Sequence, residues 1–170
     1  MTRSAPHRWH GDPVHGSRSV VVGVMPGQTG RVVRVAARLA TGLGSALVCV
    51  WIDSSRTATG VEPDGTVLTT PLDPDRVDDG DEVPGEVELT EALDVQLGSH
   101  PGPWRFEYAV GDVAAGLAAA AVEHDAWMIV VGARRPGLAG WMNQMVGGSL
   151  AGHLSHTQPV PVVIVPTAVG

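Results

Sequence analysis

The sequence predicts an α/β fold in which helices wind over both faces of a parallel sheet, and three observations carry that prediction. Short runs such as Val20–Val24 (VVVGV), Ala46–Ile52 (ALVCVWI) and Ala126–Ala133 (AWMIVVGA) are apolar without alternation, the character of strands buried on both faces. Between such runs lie segments whose apolar residues recur at three- and four-residue steps, the period of amphipathic helices. The two kinds of segment alternate along the chain, which implies right-handed crossovers and a doubly wound sheet. In such a sheet a ligand crevice lies at the carboxyl ends of the central strands, here between the first and the fourth.

The first helix places Val32, Val35, Ala36, Leu39 and Leu43 on one stripe, with Arg31, Arg34 and Arg38 opposite and Gly42 and Gly44 at its end. From Ser54 to Gly85 the chain is polar and rich in proline and aspartate, so a surface insertion is expected over about 54–85, with a small hairpin at Pro63-Asp64-Gly65. A second helix is expected from Glu86 to Leu97 on the stripe Leu89, Leu93, Leu97, with Glu86, Glu88 and Glu91 near its positive end. Trp104–Val110 alternates as an edge strand does. Asp112 then caps a helix running to His124, in which Val113, Leu117, Ala120, Ala121 and Val122 pack closely on the sheet. A glycine-rich loop covers Arg134 to Gly148, a short helix starts near Ser149, and Val160–Val165 forms the last strand, with Pro161 where a missing donor suits an edge.

Length and composition limit what the molecule does. A chain of 170 residues with 44% hydrophobic residues suits one domain, expected over 19–167 behind a flexible leader at 1–18. All 11 basic residues are arginines against 18 acidic ones, a net charge of -7 that argues against nucleic acid or anionic lipid as a partner. No apolar run reaches the ~18 residues of a membrane span, and no apolar h-region precedes Val20, so neither a membrane segment nor a secretory signal is expected. Cys49 is the single cysteine, which excludes an internal disulfide and suits a cytoplasmic location.

Three stretches taken together resemble the universal stress protein family: VVVGV with its helix and ALVCVWID, then VGDVAAGLAAAAVEHDAWMIVVGAR, then GSLAGHLSHTQPVPVVIVP. The likeness spans roughly Val20 to Pro166 and is most specific from Val110 to Gly132. It implies a five-stranded parallel sheet of order 3-2-1-4-5, dimerisation through the last strand, and, in one branch of the family, binding of ATP with Mg at the crevice. The ATP-binding branch generally has glycine, two residues, glycine, nine residues, glycine, then serine or threonine. Here Gly132 fits the first position, Arg135 stands at the second, and Gly148-Ser149 arrives three residues late. The acidic residue that usually follows the first strand is Met25, which offers no useful acceptor.

The candidate nucleotide site therefore comprises Val24 and Met25 after the first strand, Trp51 on the second, Gly132, Arg134 and Arg135 after the fourth, and Gly148, Ser149 and Leu150 at the next helix entry. Glycines allow the backbone to approach a phosphate, free amides at a helix entry bind anions, and the two arginines add charge-assisted contacts. Trp51 stands near the family's adenine-facing position, where an indole could stack on a base or simply fill the space. Val162, Val163, Ile164 and Val165 are apolar on both faces at a sheet edge, which a second copy would cover, giving a homodimer.

Other candidates are weaker. His7, His10 and His15 sit in the leader, and His153 and His156 have no neighbouring carboxylate to complete a metal site. Cys49 reads as a packed thiol, Ser149 is not in a G-x-S-x-G elbow, and the aspartates at 73, 75, 78, 79 and 81 lack the order of a calcium loop. The reading is thus a regulatory nucleotide-binding domain rather than an enzyme. The alternatives are a dimeric scaffold of the same fold without nucleotide, and a slow nucleotide hydrolase that would need a water-positioning base.

Overall fold

In the computed structural model, residues 1–14, 16–27, 30–76, 80–133 and 160–166 are described. The elements in chain order are β1 (Thr2–Ser4), β2 (Ser19–Gly23), α1 (Arg31–Leu43), β3 (Ala46–Asp53), β4 (Arg56–Val61), β5 (Val67–Pro71), α2 (Glu86–Leu97), β6 (Trp104–Val110), α3 (Val113–Glu123), β7 (Ala126–Gly132) and β8 (Val162–Val165). Five of the strands form one sheet in the order β6-β3-β2-β7-β8, all pairs parallel. Counted along the chain these are the third, second, first, fourth and fifth members, the order the resemblance implied.

The non-alternating runs occupy the middle, because a strand with no polar face must be covered on both sides. Val20, Val21 and Val22 of β2 are fully buried. Val20, Val22, Leu47, Cys49 and Trp51 pack with α1 and α2 on one face. Val21, Val48, Val50 and Ile52 pack with α3 on the other. β6 alternates buried and half-buried residues at the sheet margin, as its sequence pattern requires.

The helices keep their expected bounds with small rotations. On α1 the buried residues are Val32, Val33, Ala36 and Ala40, while Leu43 is exposed, so the packed stripe lies closer to the amino end than the apolar pattern suggested. Gly44 ends α1 in the left-handed conformation (φ 59°), its amide turned back to the Ala40 and Thr41 carbonyls. In α3 the Asp112 side chain accepts from the Ala115 amide at 2.8 Å, the cap expected from sequence. Val122 is exposed rather than packed, because α3 meets the sheet through Val113, Ala114, Leu117, Ala120 and Ala121.

The amino-terminal segment corrects the expectation of a flexible leader. β1 pairs antiparallel with β5, and β5 with β4, in a second, three-stranded sheet built mainly from the insertion. The β4–β5 hairpin turns at Asp64-Gly65, where Gly65 has φ 90° and Asp64 accepts from the Thr66 amide. Thr2 and Ser4 are buried, His7 meets the Phe106 ring edge-on at 4.6 Å, and His10 stacks on Trp104 at 4.0 Å while exchanging two backbone hydrogen bonds with it. No hydrophobic run announces this docking. Hydroxyls, imidazoles and backbone pairs carry it, and these types read as solvated in a composition-based view.

Candidate functional site

From β2 the sheet grows through β3 to β6 on one side, and the chain then returns to add β7 and β8 on the other, with α1 on one face and α3 on the opposite one. That divergence makes the carboxyl ends of β2 and β7 the switch point of the sheet. β2 and β7 are in register through Val22 and Val130, so continuing two residues brings Val24 and Gly132 to the same level at the rim. The Val24 amide donates to the Val50 carbonyl at 2.9 Å, which holds the chain along β3 one residue beyond β2. Gly132 pairs with Val165, and the Ala133 amide donates to the Val165 carbonyl at 2.7 Å.

Met25 is half-buried and, with Pro26, Val33, Glu88, Leu93 and Gln96, lines a cavity of about 70 Å³ between the β2 exit, α1 and α2. That volume is far below the ~300 Å³ at which ligand pockets begin. Trp51 is only 8% exposed and meets the Tyr108 ring edge-on at 5.0 Å. Val83, also buried, joins the same cluster, and Gly85 closes over the top in the left-handed conformation (φ 86°). A Cβ on Gly85 would stand 2.9 Å from Pro26 Cγ and 4.0 Å from Trp51 Cη2, so the backbone at 85 lies directly on these side chains. The end of the insertion thus covers the Trp51 indole.

Of the residues singled out from sequence, Val24, Met25 and Trp51 come together, and Gly132 reaches the neighbouring strand end. Arg134, Arg135, Gly148, Ser149 and Leu150 lie outside the described residues, as do His15, His153 and His156. Residues with no motif to mark them complete the described part. Asp53 Oδ1 accepts from the Ser55 amide and hydroxyl at 2.9 and 2.6 Å, and Oδ2 accepts a longer bond of 3.4 Å from the Tyr108 hydroxyl. Burial and the Asp53 charge push the Tyr108 phenol up, so it stays a neutral donor. The buried Arg56 donates to Thr69 Oγ1 at 2.8 Å and Thr2 Oγ1 at 2.5 Å. Only the Pro84-Gly85 pair gave a local signal, that of a turn before α2.

Cys49 is fully buried and its thiol is pushed up by desolvation, which removes the thiolate a nucleophile needs. Among the described residues no group of three His, Cys, Asp or Glu side chains is gathered as a metal ion requires. Nor is any described helix long and apolar enough to cross a membrane.

Comparison with known proteins agrees with this geometry. A universal stress protein from Archaeoglobus fulgidus superposes with a TM-score of 0.58 at 20% identity, covering 86% of this chain and 97% of the other. The A. fulgidus protein in complex with dAMP gives 0.56 at 19% identity, covering 86% and 96%. A universal stress protein in complex with cAMP gives 0.56 at 20% identity, covering 90% and 100%. Among curated proteins none matches the sequence significantly. The model of the universal stress protein family matches residues 16–166, a span that contains all five strands of the parallel sheet and their connections. Sheet order, switch point and family match coincide, and the chain belongs to the universal stress protein family.

Proposed function

We propose that this chain is a regulatory domain that binds an adenine nucleotide, ATP with Mg in its fullest form, at the crevice between β2 and β7. The observation that carries the reading is the switch point itself, with β7 ending in Gly132 and leading into the segment that holds Arg134, Arg135 and Gly148-Ser149. The dAMP and cAMP complexes of similarly folded proteins support an adenylate ligand. In this reading Val24 and Gly132 frame the ribose and phosphate side, the two arginines and the Ser149 helix entry hold phosphate, and bound Mg would neutralise phosphate charge. Titration calorimetry on stripped protein should give heat with AMP and with ATP, and Gly148→Leu should abolish it while far-UV circular dichroism is unchanged. Unaltered affinity in Gly148→Leu would remove the phosphate site from that position.

The covered Trp51 favours a second reading, a scaffold of the same fold that holds no nucleotide. Its signature is an absence of binding heat at millimolar AMP and ATP. The third alternative, slow hydrolysis, gains nothing from the one carboxylate at the β3 end, because Asp53 is taken up by Ser55 and Tyr108.

In both leading readings the molecule is a cytoplasmic homodimer joined through β8. Ile164 is 53% exposed and Val162 and Val163 are half-buried on a strand paired, among the described residues, only with β7. The opposite margin, β6, is shielded by the amino-terminal segment through His10 and His7. One open apolar edge and one covered edge suit a closed two-fold pair.

A further inference from the structure

Among the described residues, the limb that covers Trp51, residues 81–86, has no strand partner apart from the amino-terminal segment. The Arg3 amide donates to the Asp81 carbonyl at 2.7 Å, and Arg3 forms a parallel bridge with Glu82. At the end of the limb the buried Glu86 carboxylate takes the Ser4 hydroxyl at 2.6 Å and His7 Nε2 at 2.9 Å on the same oxygen. The segment that makes these contacts is itself anchored on both sides of them. Thr2 bonds Thr69 Oγ1 at 3.0 Å and Arg56, and His10 is tied to Trp104 by backbone and ring. Between Asp81 and Glu86 the limb carries Val83, buried in the same core cluster as Trp51, and Gly85, whose backbone lies on Pro26 and Trp51.

We infer that residues 2–10 form a strap that latches the 81–86 limb shut over Trp51, and that releasing the strap opens the base-facing end of the crevice. The physical basis is the distribution of contacts. The limb's apolar contribution is small, one valine and a glycine backbone, and beyond the hydrogen bonds that start α2 (Leu89 amide to Gly85, Thr90 hydroxyl to Glu86, Glu86 amide to Val83) it has polar and ladder contacts to Arg3, Ser4 and His7. Weakening those contacts frees the limb without disturbing the sheet, since local opening follows the weakest set of contacts. Gly85, held at a φ that other residues avoid, sits where the limb must pivot to join α2. The ligand side of the inference rests on the nucleotide reading above, while the latch itself does not.

The test uses the full chain and two variants. Ser4→Ala/His7→Ala removes the side chains on Glu86, and Arg3→Pro deletes the backbone donor to Asp81. Amide exchange followed by mass spectrometry should accelerate at least tenfold in peptides spanning 80–88 in both variants, with β2 and β7 peptides unchanged. AMP affinity, read by calorimetry, should rise at least fivefold. Unchanged exchange at 80–88, or an equal rise in β2, overturns the latch. AMP bound equally well by the parent and the loosened variants overturns the claim that releasing the strap opens the base-facing end. Faster exchange at 80–88 with no AMP binding by any form supports the latch and instead overturns the nucleotide reading.

Discussion

Single side chains and single missing side chains set the tolerances of this core. Gly116 lies on α3 where a Cβ would stand 2.6 Å from Ile52 Cδ1 and 2.8 Å from Cγ1, so the helix sits as close to β3 as a bare backbone permits. Helix propensity favours Gly116→Ala by about 1 kcal/mol, while overpacking costs about 1–3 kcal/mol. The clash should win, and denaturant melts should show a loss of about 1 kcal/mol. In an Ile52→Ala background the loss should vanish, since Cδ1 and both γ-carbons that crowd the new Cβ are gone; a loss that persists would place the strain elsewhere. Cys49 provides a test in pH. Burial raises its folded-state pKa above the ~8.5 of an unfolded thiol. The buried thiol therefore contributes fully below about pH 8.5, and that contribution is lost as pH rises further, when the unfolded chain alone ionises. Urea melts should show a steeper alkaline decline for the parent than for Cys49→Ala above that pH. His100 works in the opposite sense: burial lowers its pKa, so its contribution is present above about pH 6.5 and lost as pH falls. His100→Gln should flatten the acid side of the same curve.

Elements depend on their ends and on what they leave uncovered. α3 is rich in alanine and has no acidic residue in its first turn, so the Asp112 side chain at 2.8 Å from the Ala115 amide is its chief local start signal. Asp112→Ala should cost about 1 kcal/mol, as typical caps do, and Asp112→Ser should recover most of it. Equal melts for Asp112→Ala and the parent would mean that packing against β2, β3 and β7 alone holds the helix start. α2 behaves differently, because Glu86 in its first turn is not a free charge facing water. It is buried and shared by Ser4 and His7, which turns a helix-end carboxylate into a docking point for a segment 80 residues earlier in the chain.

At the scale of the whole molecule the two margins of the sheet are unlike. β6 is bridged at Trp104 by His10 of the chain's own first residues, and β8 presents Ile164 outward. If β8 joins two copies about a two-fold axis, Ile164→Glu places like charges together and exposes no new core, so sedimentation should report monomer with unchanged circular dichroism. A dimer that survives would move the interface away from β8. Most of this architecture was legible beforehand. Val20–Val24, Ala46–Ile52 and Ala126–Ala133 could only be central strands, because they lack a polar face, and the stripes Leu89, Leu93, Leu97 and Val113, Leu117, Ala121 could only be helices lying on them. Of the site, Val24, Met25 and Gly132 were legible from their places at strand ends. The coverage of Trp51 was not, since it depends on Gly85 and Val83 returning from a polar insertion whose local sequence carries no sign of where it lands.

The chain's hydrophobic pattern by itself determined the parallel sheet and its helices, because burial demands of each segment are local and periodic. The tertiary structure alone decided that the amino terminus is a docked strap, that the insertion forms a second sheet, and that Trp51 is roofed by the 81–86 limb. Those features rest on single hydrogen bonds and ring contacts between residues 50 to 100 positions apart, such as Thr2 with Thr69, His7 with Glu86 and His10 with Trp104. Such contacts leave no period in the sequence, and only the folded chain brings their two halves together.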